Sequence, residues 1–127
     1  MFDAEYVKGA ELFAKMFEID KKMIGKDLII TGEGRLDNYL LEKLPITVTK
    51  IAHKSNVPVV FVCGQIDENI NINELKKIGI IDVLCCSKYY RDNKINIDDI
   101  TSEKKHLIFK EKTPMILEKE FTRIGLL

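Results

Sequence analysis

Three short apolar segments, at 27–31, 58–63 and 80–86, constrain the fold of this chain more than any other feature of its sequence. None of them alternates apolar and polar residues, which is typical of strands covered on both faces of a parallel sheet. The first two are followed by Gly32 and Gly64, and we expect each strand to end there. The sequence therefore predicts three buried strands.

Helical segments separate these strands. Residues 44–54 carry Pro45 in the first turn and an apolar face, and residues 71–78 are stopped by Gly79. The order strand, helix, strand, helix, strand predicts a parallel sheet with right-handed crossovers. We therefore predict an α/β fold, in which a parallel sheet of about three to four strands lies between helices on both faces.

The first segment of the chain predicts a further helix. Apolar residues recur at three- and four-residue steps between Asp3 and Met23, as in a helix buried on one side. Asp3 is a suitable N-cap, and we expect a break near 18–20.

The last third of the chain is less regular. The polar stretch after Ser87, up to Asp99, predicts a surface loop. Residues 106–109 fit either a short strand or part of a helix. Thr113 and Pro114 fit the N-cap and first turn of a final helix that continues to Ile124.

Composition places the chain among ordinary globular domains. It has 127 residues, 46% of them hydrophobic and 31% charged, and we expect residues 1–127 to form a single domain. Its 20 basic and 20 acidic residues cancel, so no field of one sign is available to attract nucleic acid or an anionic membrane. No secretory signal or membrane-spanning stretch is visible, and we expect a cytoplasmic protein without nucleic-acid or membrane partners.

The cysteines and histidines predict packing and not metal binding. Cys63, Cys85 and Cys86 lie in apolar surroundings, where thiols usually behave as small core residues. His53 and His106 are far apart in sequence from each other and from the cysteines, unlike the ligands of zinc sites. We expect neither a disulfide framework nor a metal site.

The polar segment after the first strand is the richest candidate site. In open parallel sheets, ligands bind beyond the carboxyl ends of the strands. We expect residues 32–37 to form a tight turn in which Gly32 and Gly34 let the backbone approach a ligand. The spacing matches neither a dinucleotide fingerprint nor a P-loop, because Asp37 replaces the third glycine and no Gly-Lys-Ser or Gly-Lys-Thr follows. On spacing alone, a glycine turn with solvated charges is an equal alternative.

The charged residues of this segment suit phosphate or carboxylate ligands. The planar guanidinium of Arg35 can hold either group through two parallel hydrogen bonds, unless it is a solvated partner of Glu33 or Asp37. Asp37 can accept a hydroxyl proton or hold Mg²⁺ through water, and Glu33 can do the second. Lys43 precedes a helix start, where a cation gains nothing from the helix dipole, so it is either turned towards an anion or simply solvated.

The end of the second strand offers a weaker signal. Gly64, Gln65 and Asp67 follow it and can line the same crevice, while Cys63 is expected to pack. We include Gly64 and Gln65 among the candidate substrate-binding residues.

The segment from Asp27 to Asp37 reads Asp-Leu-Ile-Ile-Thr-Gly-Glu-Gly-Arg-Leu-Asp. It resembles the Asp-Leu-Val-Ile-Thr-Gly-Glu-Gly-Arg-x-Asp block of the bacterial (type 1) glycerate kinases. The segments Lys43-Leu-Pro45 and 57–64 are similar to the parts of that family that follow the block. The similarity runs from about residue 9 to residue 86.

The resemblance implies a Rossmann-like domain and a kinase that transfers the terminal phosphate of ATP, with Mg²⁺, to a hydroxyl of D-glycerate. It also implies that the reaction takes place in a cleft between two α/β domains. The family's active-site turn and its lysine correspond here to the following residues: Gly32, Glu33, Gly34, Arg35, Asp37 and Lys43.

Two departures from the family pattern are visible. The family has the pattern Asp-x-Gln-Thr-x-x-Gly-Lys-x-Pro. The corresponding segment of this chain, from Asp37 to Pro45, is one residue shorter and lacks the Gln-Thr pair and the glycine before the lysine. The chain also resembles only the C-terminal portion of the family, without its Asp-Ser-Phe-Lys-Gly-Ser segment and second domain. Three functions therefore stay open: a kinase portion completed by a separate chain or further copies, a non-catalytic anion- or partner-binding module, and an inactive remnant.

Overall fold

The structure, a computed structural model, describes residues 8–92, 102–123 and 125. The described elements, in chain order, are α1 (Gly9–Met16), α2 (Ile19–Met23), β1 (Ile29–Leu36), a 3₁₀ helix (Asn38–Glu42), α3 (Leu44–Lys54), β2 (Val59–Ile66), α4 (Ile72–Lys77), β3 (Ile80–Cys85), α5 (Cys86–Asp92) and α6 (Ser102–Arg123). The chain divides into two compact units, 1–83 and 84–127. The single-domain interpretation stays a prediction.

The three strands form one parallel sheet in the order β1-β2-β3 with helices around it, which confirms the predicted α/β class. β1 and β2 pair in register from Ile29 opposite Val59 to Leu36 opposite Ile66. Because β2 is central, its residues Val59, Val60 and Phe61 are buried, as the unbroken apolar run predicts.

The sheet departs from the prediction at the glycines. The expected turn at residues 32–37 is wrong, because β1 continues to Leu36, and β2 likewise passes Gly64 to end at Ile66. Gly32 and Gly64 serve the close approach of the two strands. A Cβ on Gly32 would lie 2.2 Å from the carbonyl oxygen of Val62, and one on Gly64 would lie 2.8 Å from that of Gly34.

Helix α3 has the predicted bounds despite its β-branched residues. Pro45 occupies the first turn, and Ile46, Thr49 and Ala52 are buried on one face. The hydroxyl of buried Thr49 donates to the carbonyl oxygen of Pro45 at 2.9 Å, so burial leaves this polar group paired. Helix α4 also lies where predicted and ends before Gly79, whose φ of +106° favours glycine.

The first helical segment breaks where predicted, at Glu18, which has a φ of +49°. The helix begins at Gly9, after an extended Lys8, and the expected N-cap Asp3 lies outside the described residues. α1 buries Ala14 and leaves large apolar side chains partly exposed: Leu12, Phe13, Met16 and Phe17. The rings of Phe13 and Phe17 stack on each other, with centroids 4.4 Å apart.

The last third of the chain is more helical than predicted. Residues 88–92, expected in a loop, belong to α5, and the rest of that loop lies outside the described residues. Residues 106–109 are helical. The expected helix start at Thr113 and Pro114 is wrong, because α6 runs through Pro114, flanked on both sides by strong helix formers such as lysine, glutamate and leucine. Ile124 lies outside the described residues. No described helix is both long and apolar enough to cross a membrane.

Candidate functional site

The candidate site lies where β1 and β2 end. The register places Arg35 directly opposite Gln65, and the period of two along each strand puts Glu33, Arg35 and Gln65 on one face. Gly32 and Gly34 of β1, and Gly64 of β2, belong to the opposite face. Glu33, Arg35 and Gln65 are therefore separated from the three glycines by the plane of the sheet.

Arg35 lies between two carboxylates. Its Nη2 donates to Oδ2 of Asp67 at 3.2 Å, and its Nε lies 3.9 Å from Oδ2 of Asp37. The Arg35 side chain is 60% exposed, whereas those of Asp37 and Asp67 are 21% and 26% exposed. The guanidinium thus contacts both carboxylates and still presents part of its surface to solvent.

Each aspartate also caps the turn that follows its strand. Oδ1 of Asp37 accepts a hydrogen bond from the backbone N–H of Tyr39 at 3.0 Å, at the start of the 3₁₀ helix. Oδ1 of Asp67 accepts from the backbone N–H of Asn69 at 3.0 Å and from its Nδ2 at 3.1 Å. Such short polar side chains commonly bond the backbone two residues on. Both carboxylates are therefore held with Oδ2 directed to the guanidinium.

Hydrogen bonding favours the ionised form of Asp67. The Asn69 backbone N–H, followed by the Arg35 side chain, lowers the pKa of the Asp67 carboxyl below its ordinary value of 3.8. Asp67 is therefore a carboxylate near neutral pH and a weak proton acceptor. Its geometry suits the positioning of Arg35.

The described residues contain no group of three or more His, Cys, Asp or Glu side chains that could hold a metal ion. Asp37 and Asp67 supply two carboxylates. Mg²⁺ is usually bound through one or two carboxylates and the phosphates of a substrate, so this pair fits the ion only together with a phosphorylated ligand.

The other predicted site residues are less closely associated. Among the described residues, Glu33 receives one long contact, 3.4 Å from the backbone N of Gly34 to its Oε1. Gly32 and Gly34 are exposed strand residues, and Gly64 is half-buried. Lys43 is exposed at the start of α3 and forms no ion pair with any residue that the structure describes. The structure therefore brings together Arg35, Asp37 and Asp67, with Gln65 as a neighbour.

Sequence reasoning gave too little weight to Asp67 and missed Asn69. Asp67 was expected only to line the crevice, because its contact with Arg35 depends on the register of two strands that are distant in sequence. The spacing Asp67-x-Asn69 is a local signal for the turn that holds the carboxylate.

The departures from the family pattern also have a structural counterpart. Tyr39 and Leu40 stand where the pattern has glutamine and threonine. Tyr39 is 85% exposed and Leu40 only 1% exposed, within the core. The Leu40 position therefore has no polar group to offer a ligand.

Comparison with known proteins gives this cluster a context. Residues 1–112 match the sequence model of the glycerate kinase family. A glycerate kinase of Neisseria meningitidis serogroup B is 41% identical over 68 residues, which is 53% of this chain and 18% of the relative.

Other relatives agree. A glycerate kinase of Bacillus subtilis is 33% identical over 69 residues, and a glycerate 2-kinase of Escherichia coli K12 is 30% identical over 70 residues, each covering 54% of this chain and 18% of the relative. The matched segment thus spans about a fifth of the length of these relatives. Since the family match covers most of the sequence, including Arg35 of β1 and the aspartates that follow β1 and β2, this chain belongs to the glycerate kinase family.

Proposed function

We propose that this chain forms part of the phosphoryl-transfer site of a glycerate kinase, which uses ATP and Mg²⁺ to phosphorylate a hydroxyl of D-glycerate. One observation carries the proposal: Arg35 lies between Asp37 and Asp67 at the carboxyl ends of neighbouring parallel strands, in a member of this family. That edge of a parallel sheet is where ligands bind. The names of the relatives supply the reaction class.

Arg35 is proposed to bind the transferring phosphate or the carboxylate of glycerate. Phosphoryl transfer depends mainly on positioning and on cations that neutralise the transferring group. The contact of Arg35 with Asp67 is short, whereas that with Asp37 is long at 3.9 Å, so an incoming anion would replace the Asp37 contact first. Asp67 would keep the guanidinium in place during this exchange.

Asp37 is the proposed catalytic carboxylate. Its Oδ1 is bonded to the Tyr39 N–H, and its Oδ2 becomes available once Arg35 turns to the ligand. It can then accept the hydroxyl proton or hold a water molecule of Mg²⁺, and Glu33 can do the second. The metal would supply charge neutralisation on the phosphates of ATP.

The remaining candidate residues are proposed to bind substrate. Gly34 leaves the backbone of β1 open to close approach, because a Cβ there would meet no atom within 4 Å. Gly32 and Gly64 are packed against the backbone of the neighbouring strand and would contribute only by keeping this part of the sheet free of side chains. Gln65 lies beside Arg35 and offers an amide. Lys43 provides an exposed cation at the start of α3.

Release of ADP tests the proposal. The chain is supplied with ATP, Mg²⁺ and D-glycerate, both alone and mixed with a polypeptide that carries the remainder of the N. meningitidis relative. We expect ADP release that requires glycerate in the mixture, and a loss of about 100-fold or more in Arg35→Ala, because a donor to the transferring group is removed. Lys76→Ala, which removes an exposed cation of α4, should leave the rate unchanged. Absence of release in every mixture would contradict a kinase function.

A second candidate is a binding module that holds an anion without catalysis. It is favoured by the replacement of the Gln-Thr pair of the family pattern. Tyr39 is exposed and Leu40 is buried, so the Leu40 position has no polar group to offer a ligand. This candidate predicts that glycerate, phosphoglycerate or ATP raises the Tm of the wild-type chain and not that of Arg35→Ala, since a ligand of the native state stabilises it by mass action. Stabilisation without ADP release would support the binding module, and the absence of both would support an inactive remnant.

A further inference from the structure

A second concave region lies on the helical side of unit 1, between α1–α2 and α3. Its volume is about 590 Å³. This lies within the usual range of small-molecule sites, which is roughly 300–1,000 Å³. None of the described residues that line it belongs to the Arg35 site, so the two regions share no residue. We call it the lysine groove.

Five lysines line this groove: Lys8, Lys15, Lys21, Lys50 and Lys54. Lys8 and Lys15 lie two turns apart along α1 and its N-cap, and Lys50 and Lys54 lie one turn apart on α3, so each pair occupies one helical face. The groove thus receives cations from both of its walls.

Among the described residues that line the groove, ammonium groups outnumber carboxylates. Three carboxylates also line it, from Glu11, Glu18 and Asp20, against five ammonium groups. Glu18 is paired with Lys21, both in the same short segment. The chain as a whole has a formal net charge of zero, so this local excess is a feature of the groove and not of the whole surface.

Three lysines of the groove lack a partner among the residues that the structure describes. Lys15, Lys50 and Lys54 form no ion pair there. Two like charges one turn apart on a helix, as at Lys50 and Lys54, destabilise that helix. An anion that lies between the two walls would remove this repulsion.

The apolar lining residues and the turn at Glu18 describe the groove further. Two of its lining residues are apolar, buried Ala14 of α1 and half-buried Ile51 of α3, so the lysines stand beside an apolar part of the lining. At Glu18 the backbone adopts the left-handed conformation, φ +49°, which is uncommon for a residue with a side chain. This turn brings α2 with Asp20 and Lys21 to the wall of the groove.

We propose that the lysine groove binds a small polyanion with two or more phosphate groups, of which inorganic pyrophosphate is the simplest. Cations on two opposite walls match a ligand with several separated charges better than a single phosphate, which satisfies one or two ammonium groups.

Isothermal titration of the full chain with pyrophosphate, without added metal, tests this proposal. We expect binding that weakens as NaCl is raised, because the contacts are ionic. The double variant K50A/K54A should lose at least about tenfold in affinity, since hydrogen bonds from two charged donors are removed. Inorganic phosphate should bind more weakly than pyrophosphate. Far-UV circular dichroism shows whether the variants keep the fold.

Two matched variants distinguish the lysine groove from other sites. K76A/K77A removes the same charge from the exposed last turn of α4, and Arg35→Ala changes the candidate kinase site. K76A/K77A should bind pyrophosphate as the wild type does, and Arg35→Ala should keep the binding that K50A/K54A loses. An equal loss in K76A/K77A would show binding by overall charge, a loss in Arg35→Ala would place the ligand at the kinase site, and no binding at millimolar pyrophosphate would exclude a polyanion site. Each of these three results would overturn the proposal.

Discussion

β1 and β2 have the same length, pair in register and are each followed by an aspartate that caps the next turn. They differ in burial. In β2 the residues Val59 to Phe61 are inaccessible to solvent, whereas every residue of β1 from Ile29 to Arg35 is half-buried or exposed. The central strand therefore holds the core together, while the edge strand carries charged residues of the candidate site at little cost to the core.

The largest expected effect is on the free energy of unfolding, when a core residue of β2 and an apolar residue of β1 are each replaced by alanine. Phe61→Ala removes a ring that is 0% exposed and should lower the free energy of unfolding by about 3–5 kcal/mol. Ile30→Ala, at a position that is 49% exposed, should cost about 1 kcal/mol or less. Urea denaturation followed by circular dichroism measures both, and equal losses would refute the division between the strands.

The next effect concerns the glycines of β1. Gly32→Ala places a methyl group against the Val62 carbonyl oxygen of β2 and should cost about 1–3 kcal/mol through overpacking. Gly34→Ala meets no atom within 4 Å and should be neutral or stabilising by up to about 1 kcal/mol. If both variants were equally unstable, the close approach of the strands at Gly32 would not be the reason for the glycine.

A smaller effect is expected at Arg35. Its side chain is mostly exposed, so Arg35→Ala should change the free energy of unfolding by less than about 1 kcal/mol despite its two carboxylate neighbours. Urea denaturation again gives the value. A loss comparable with that of Phe61→Ala would assign Arg35 a structural role, and its use as a probe of ligand binding would then fail.

The smallest effect is on the titration of Asp67. Because its pKa is lowered in the folded chain, Asp67 contributes stability that is present above its unfolded pKa and is lost as the pH falls through its folded pKa, below 3.8. NMR titration of the carboxyl carbon should give a pKa below 3.8 in the wild type. Arg35→Ala should raise it in part, since the Asn69 backbone N–H is the larger cause. An unchanged pKa in Arg35→Ala would show that the ion pair is absent in solution.

Much of the fold could be predicted from local patterns. The bounds of α3 follow from apolar periodicity and from Pro45, and the position of β3 follows from its continuous apolar segment. The break at Glu18 follows from the loss of helical periodicity. The glycines were misinterpreted because a local pattern indicates conformational freedom, whereas the need for glycine at Gly32 comes from Val62, 30 residues further along.

The candidate site could be predicted only in part. The association of Arg35 with Asp37 was weighed from their proximity in sequence, and the structure brings these residues together. The stronger contact with Asp67 depends on the register between β1 and β2, and no periodicity in one segment reveals a register between two. The prediction also placed a helix start at Pro114, inside α6, because proline is more common in the first turn of a helix than in its interior.

The outward side of α1 has a practical consequence for experiments on this protein. The native state exposes an apolar surface to which a dye such as ANS can bind and fluoresce, formed by Leu12, Phe13, Met16 and Phe17. ANS fluorescence is therefore not evidence that this chain is partly unfolded. The sequence has no tryptophan, so intrinsic indole emission is absent too, and backbone dichroism or NMR signal dispersion are the suitable reporters of folding.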